Sequence, residues 1–289
     1  MSERLNKKLK PSIASNRSPW LTVSLAFASI FILGIPVSNG ELVHRYFFSE
    51  QSTSDLVGKE DGQSPSIAEF DAIKFSEEVP KKATGVSLDL SQVGKDRLSG
   101  VTLRGSVLSA KKGAYALWIR PAQEVADEIN HYIIGSVPLL DGITLVIRSR
   151  SGVIVNAKGS SIGPASLAPA NTWHHIAVVW DATNDSAVGP RAELYVDGDL
   201  VGTVALKGMV AAQRVICGAY ILKYEFGSSG QSYSANQYRG LIYDLQIYGD
   251  SLMAGQVKQL YENPGMAFGE ISEKLRKIPS PNPSSKHVL

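Results

Sequence analysis

NTWHHIAVVWDATN, residues 171–184, followed by AELYVDGDLVGT, residues 192–203, is the stretch that decides how this chain folds. WHHIAVVWD, 173–181, is a run of β-branched and aromatic residues of strand length, bounded by turn formers. AELYVDG, 192–198, and DLVGTVAL, 199–206, form the clearest local hairpin signal: Asp197, Gly198 and Asp199 make the turn, and Gly198 accepts the positive φ that a tight β-turn demands. Leu194, Val196 and Leu200 alternate with polar neighbours on either side. The turn lacks the carboxylate spacing and the terminal Glu of an EF-hand loop, so it reads as a turn and not as a calcium loop.

Working outward, the same texture continues from about Gly85 to Tyr248. Strand candidates upstream are VSLDL (86–90), VTLRGSVL (101–108), AYALWIR (114–120), HYIIG (131–135), GITLVIRS (142–149) and VIVNA (153–157). Downstream come VICGAY (215–220) and LIYDLQIY (241–248). Short β-type runs separated by Gly, Pro, Asn and Asp indicate an all-β sandwich and not alternating βα units. Only AGQVKQLYEN, 254–263, has helical spacing, through Val257, Leu260 and Tyr261.

Three stretches in this order resemble a known family. YALWIRP, Tyr115 to Pro121, is similar to a strand carrying a Trp before a basic or polar residue. The 171–203 stretch resembles the Trp-His-x-x-Ala strand and its partner hairpin bearing Leu-Tyr-x-Asp-Gly. YRGLIYDLQIYGDSLMAGQVKQLYENP, Tyr238 to Pro264, looks like the closing strand and short helix. Together these motifs resemble the laminin-G-like, pentraxin-like branch of the concanavalin A-like lectin and glucanase superfamily, over about 180 residues. The resemblance implies a two-sheet antiparallel jelly-roll β-sandwich over residues 83–264. It implies less about function, because this sandwich hosts lectins, carbohydrate-binding modules, adhesion domains and glycoside hydrolases. Trp118, Trp173 and Trp180 are expected to fill the inter-sheet core.

The chain of 289 residues is long enough for one such domain with flanking segments. Its single cysteine, Cys217, excludes an intrachain disulfide and stands in an apolar strand, where it reads as a small buried hydrophobe. A hydrophobic fraction of 44% with 19% charge argues against both general disorder and a polytopic membrane protein. Arg4, Lys7, Lys8, Lys10 and Arg17 face only Glu3 within residues 1–19, so the rest of the chain is close to neutral with no basic stripe, and nucleic acid is set aside as a partner.

WLTVSLAFASIFILGIPV, 20–37, is uncharged and long enough for one transmembrane helix, with Trp20 at an interface and the basic leader, 1–19, cytoplasmic. This reads as a membrane signal anchor with the domain extracytoplasmic. A cleavable signal peptide is the alternative, since Ser38 and Gly40 supply small residues before Glu41, and would leave the domain secreted. Residues 41–82 lack periodicity and read as a flexible spacer, holding the domain some tens of Å from the bilayer at ~5–6 Å times the square root of its length. Residues 265–289, with three prolines in KIPSPNPSSKHVL, read as a mobile tail.

No catalytic constellation emerges. A hydrolase of this fold needs two carboxylates ~5–9.5 Å apart flanking the scissile bond. The nearest approximation is Glu193 and Asp197, and Asp197 belongs to a turn. His174 and His175 fall on opposite faces of one strand, so they do not converge. The family resemblance implies a structural calcium on Asp244, although the second acidic residue usual beside it is replaced by Leu245; the alternative is an exposed or hydrogen-bonded strand Asp. The segment 223–240 places Tyr224, Phe226, Tyr233 and Tyr238 among Ser, Gly, Gln and Asn, a mixture suited to stacking on sugars or on a protein partner and also to covering a sandwich end. The expectation is a non-catalytic recognition module for a glycan or an extracytoplasmic protein, with a structural subunit of an envelope complex, or a glycosidase, as rivals.

Overall fold

The computed structural model describes residues 40–276 apart from 49–50, 65–70, 94–97, 123–129, 138–141, 149–151, 159, 166, 168–169, 184–187, 210 and 222–234. The apolar run 20–37, its basic leader and the residues beyond 276 lie outside this description, as do Tyr224, Phe226 and Tyr233. Among the described residues no helix is long and apolar enough to cross a membrane.

In chain order the strands are β1 (Leu42–Tyr46), β2 (Lys74–Ser76), β3 (Ser87–Asp89), β4 (Val101–Arg104), β5 (Lys112–Pro121), β6 (Asn130–Val137), β7 (Ile143–Arg148), β8 (Gly152–Ala157), β9 (Ser160–Ala165), β10 (His174–Asp181), β11 (Arg191–Val196), β12 (Asp199–Ala205), β13 (Arg214–Cys217), β14 (Ala219–Ile221), β15 (Ala235–Gln237) and β16 (Gly240–Tyr248). Helices α1 (Ala254–Glu262) and α2 (Phe268–Arg276) follow. One sheet runs β12-β11-β10-β5-β16-β3-β2, with β1 also on β16. The other joins β4, β13 and β6 and continues through β7 and β8 to β9, with β14 and β15 beside β6. Pairing is antiparallel apart from the contact of β15 with β6, so the expected two-sheet sandwich is what forms.

Strand alternation explains why these residues close a core. Tyr115, Leu117 and Ile119 of β5, Ile176, Val178 and Trp180 of β10, and Leu145, Ile147, Val153 and Val155 of β7 and β8 meet between the sheets, all buried. Cys217 lies in the same cluster as a free thiol, and burial pushes its pKa up to about 12. The opposite face of the first sheet, through Ala114, Ala116, Ala177, Val179 and Tyr195, is covered by Val257 and Leu260 of α1 and Ile271 of α2. Small residues on β5 and β10 leave room for those helices.

The hairpin turn is as expected, with Asp197 at φ 52° and Gly198 at φ 82°. A side chain at Gly198 would run into Lys258 and Tyr261 of α1, so glycine serves both the turn and this close approach. Leu200 is 53% exposed, because β12 is the edge strand and its outer residues have no covering layer.

Three expectations need correction. Residues 41–82 are not a flexible spacer throughout: Leu42–Tyr46 pairs with β16 in register Arg45↔Gln246, and Lys74–Ser76 pairs with β3. The loop between them is fixed by Asp55, whose Oδ1 accepts from the Arg45 and Val57 amides and whose Oδ2 bonds His44 Nδ1 at 2.6 Å. Nor does the tail begin at 265, since α2 packs Ile271 into the helix-covered face. Third, the three tryptophans do not share one core. Trp180 lies between the sheets and donates Nε1 to Ser109 O at 2.9 Å; Trp118 stacks under Tyr261 of α1 on the outside, and Trp173 sits half-buried against Tyr243. Trp180→Ala is therefore expected to cost about 3–5 kcal/mol in urea unfolding, and Trp173→Ala clearly less.

Candidate functional site

β16 carries Asp244, the carboxylate expected on calcium, and the strand is bent there. Ile242 and Leu245 both enter the inter-sheet core, so two residues, Tyr243 and Asp244, stand between them where alternation allows one. The pairing of β16 with β5 shifts register at this point, and Asp244 has φ 51°. This β-bulge turns the Asp244 carboxylate toward the guanidinium of Arg45, and the group is 1% exposed.

The Arg45 guanidinium lies directly against this carboxylate. Its Nε donates to Asp244 Oδ1 at 2.8 Å and one terminal nitrogen to Asp244 Oδ2 at 3.2 Å and Gly265 O at 2.8 Å. The other terminal nitrogen reaches both oxygens of Glu270 at 3.2 Å. Gln246 donates to Asp244 Oδ2 at 2.7 Å and to Met266 O, and Tyr248 donates its hydroxyl to Gln246 Oε1. Burial opposes the charge of Arg45, but the hydrogen bond and charge of Asp244 outweigh it and hold the guanidinium pKa above its ordinary value. Among the described residues no three His, Cys, Asp or Glu side chains converge as a metal group. The donor set here does not fit calcium, since a divalent ion beside a buried guanidinium would meet like charge.

Tyr238, expected to face a ligand from the 223–240 segment, is instead fully buried in the inter-sheet core. Its neighbour explains why. Gln237 Oε1 accepts from Ser99 N at 2.7 Å, its Nε2 donates to Gly218 O and Tyr238 O, and its own carbonyl bonds His131 Nδ1 at 2.7 Å. These bonds pin the end of the segment inside the sandwich. Nothing in the local sequence distinguishes this Tyr from the others, since loop and strand residues are equally polar here.

Glu193 and Asp197 do not form an acid pair. Glu193 bonds Arg191 Nε at 2.6 Å and the Tyr195 hydroxyl; Asp197 bonds His174 Nδ1 at 2.8 Å and the His175 amide. His174 and His175 diverge as expected: His174 lies opposite core residue Ile119, while His175 packs at a tilt beside the stacked rings of Trp118 and Tyr261 on the helix side.

What the described surface offers in place of an acid pair is a cleft that single-residue reading missed, because its walls are distant in sequence. About 320 Å³ in volume, it lies between the loop bearing Lys59, Glu60, Asp61 and Gln63 and the β4–β13 edge bearing Thr102, Arg104, Gln213 and Arg214. A bridge between Gln63 and Thr102 sets the floor. Glu60 is paired with Arg104 at 3.1 Å, and Asp61 accepts from the Asp55 amide at 2.9 Å. The cleft is thus rich in amide, hydroxyl and guanidinium groups, while its two carboxylates share one wall.

With this geometry in hand, the family comparison is decisive. A model described as the concanavalin A-like lectin/glucanases superfamily matches residues 96–258, more than half of the chain. The chain belongs to that superfamily. No relative is found among curated protein sequences. Solved structures of similar fold include domain 4 of AbnA, an extracellular GH43 arabinanase from Geobacillus stearothermophilus, in complex with arabinotriose. It is 18% identical, with a TM-score of 0.55, over 76% of this chain and 98% of that one. The binding domain of botulinum neurotoxin DC in complex with SialylT is 15% identical, TM-score 0.54, over 78% of this chain and 51% of the other. The same binding domain in complex with rat synaptotagmin II is 16% identical, TM-score 0.53, over 76% and 51%. This superfamily chain spans about half the length of those neurotoxin domains, and at such identities the likeness is one of fold.

Two outcomes follow. Arg45→Ala leaves Asp244 buried and unpaired, and is expected to cost about 3–5 kcal/mol in urea unfolding, whereas calcium or a chelator leaves the wild-type melting temperature unchanged. His175 Nδ1 is buried without a partner, and burial lowers its pKa from 6.5 to about 4, against a smaller upward pull from Asp197. The unfolded histidine takes its proton near 6.5 while the folded one resists to about 4, so its contribution is full above pH 6.5 and is lost as pH falls toward 4. The loss amounts to about 3 kcal/mol. His175→Phe is expected to flatten that part of the stability–pH curve.

Proposed function

We propose that this chain is a non-catalytic recognition module, held at a membrane by residues 20–37, that binds carbohydrate in the cleft between residues 59–63 and the β4–β13 edge. The observation that carries this reading is the cleft's lining. Lys59, Gln63, Thr102, Gln213 and Arg214 supply donors and acceptors of the kind that recognise sugar hydroxyls, in a volume at the lower end of that usual for small-molecule sites. Glycoside hydrolysis needs two carboxylates across the scissile bond. Glu60 and Asp61 stand side by side, and Glu193 and Asp197 are each held by other partners. The complexes of the similar domains with arabinotriose and with SialylT support a glycan as the ligand class.

A second reading rests on one observation. β12 is an unpaired edge that exposes Leu200 and Val201, a surface suited to a protein partner, and one neighbouring domain is in complex with synaptotagmin II.

The test is glycan-array binding by the full chain. Specific binding that falls at least ~10-fold in Gln213→Ala/Arg214→Ala with an unchanged melting temperature supports the cleft. Loss on Tyr233→Ala alone moves the site to the 223–240 segment. An array with no signal, together with a stoichiometric protein partner lost on Leu200→Lys, favours the second reading. Glycan hydrolysis abolished by Glu193→Gln overturns the non-catalytic one.

A further inference from the structure

The described chain begins at one end of the first sheet, and that end has a definite composition. Glu41 O accepts from Gly249 N at 2.9 Å, and a side chain on Gly40 would collide with Leu252, so the fold fixes the chain from Gly40 onward. Strand register brings other segments to the same end. Lys112 starts β5 opposite Asp181 at the end of β10, Arg191 starts β11 opposite Ala205, and Leu42 lies opposite Tyr248. The described parts of the connections here are residues 109–111, 182–183, 188–190, 206–208 and 249–253, joined by bonds from Ala182 N to Lys111 O and from Leu206 N to Pro190 O.

This end exposes Val188 at 70% and Met253 at 52% of their surfaces. Lys111 and Lys207 are exposed around them, and Lys158 is half-exposed with its ammonium beside Gly208. None of the three lysines makes an ion pair among the described residues. Among the described residues the acids here are Glu41, exposed; Asp250, paired with Lys112 at 3.0 Å; and Asp181, which bonds Thr183; Asp185 of the 182–190 connection lies outside the described residues. Solvent-exposed aliphatics ringed by unpaired lysines match an interfacial lipid surface, where apolar tips enter the headgroup layer and ammonium groups meet phosphates.

We propose that this end of the sandwich rests on a bilayer containing anionic lipids. The proposal deepens the membrane reading of residues 20–37 and rests on it. Only Ser38 and Asn39 separate that run from the fixed Gly40, and at ~3.3–3.6 Å per residue the connection spans no more than about 10 Å. A tether that short keeps part of the domain within reach of the headgroups, and the surface charge of that part decides whether it rests on them. Its lysines, Val188 and Met253 are the groups brought to the headgroups, while the opposite end, where Asn171 N bonds Pro121 O and Thr172 is exposed, stands off by the length of the ten-residue β5.

The experiment uses the full chain reconstituted in vesicles of equal parts phosphatidylcholine and phosphatidylglycerol, or of phosphatidylcholine alone, with a fluorophore on Val188→Cys or on Thr172→Cys. Cys217 is buried and escapes labelling. Headgroup-nitroxide lipid is expected to quench the Val188 label at least about threefold more than the Thr172 label. Replacing Lys111, Lys158 and Lys207 by Glu, or raising the salt, should lower the Val188 signal in the anionic vesicles and leave it unchanged in the neutral ones. Equal quenching at both positions in a chain that resists alkaline carbonate extraction overturns the proposal and leaves the anchor standing. A chain released by carbonate overturns the anchor and the proposal with it.

Discussion

Burying the Arg45 guanidinium obliges all of its N–H groups to find acceptors, and the residues that supply them come from separate parts of the chain: Asp244 on the bulge of β16, Gly265 after α1, and Glu270 in the first turn of α2. A charge removed from water costs several kcal/mol unless it is paired and fully hydrogen-bonded, so the fold forms complete or not at all around this point. The bulge, the course of the chain between the helices and the seat of β1 are each fixed by the same side chain. With one cysteine and no acidic cluster among the described residues, this network joins the first strand to the last elements where a disulfide or an ion would otherwise do so.

The middle of the sandwich was legible because its strands obey simple alternation. WHHIAVVWD and AELYVDGDLVGT carry their register and their turn within a few residues, and Cys217 declares its burial by its neighbours. The first strand was not legible, since LVHRY mixes a charged residue that is buried with apolar ones that are half-exposed, and its partner lies some two hundred residues away. A buried arginine looks like a solvent-facing one until its acceptors are known. The helix at 268–276 is short and polar in composition, and it is held by Glu270 and Ile271 rather than by propensity.

The candidate site divides in the same way. Long-range hydrogen bonds decided the fate of Asp244, Tyr238 and Asp197, each of which is consumed by the structure. The cleft at the β4–β13 edge was invisible for the complementary reason, its walls being ordinary polar residues that gain meaning only when a loop from residues 59–63 is laid beside residues 213–214. The superfamily's shared frame says little about which surface recognises anything. Here the helices cover the outer face of one sheet and so take that face out of contact with other molecules.

The span between Arg45 and Asp244 also governs how the protein is made. Synthesis proceeds at about 5–20 residues per second, so the 199 residues between these partners keep β1 waiting roughly 10–40 s for the strand it pairs with. During that interval the emerging chain carries an unmatched cation and an unpaired strand close behind its apolar leader. Glu270 arrives later still, in α2, so the first strand acquires its permanent neighbours only after the chain has been delivered through that residue.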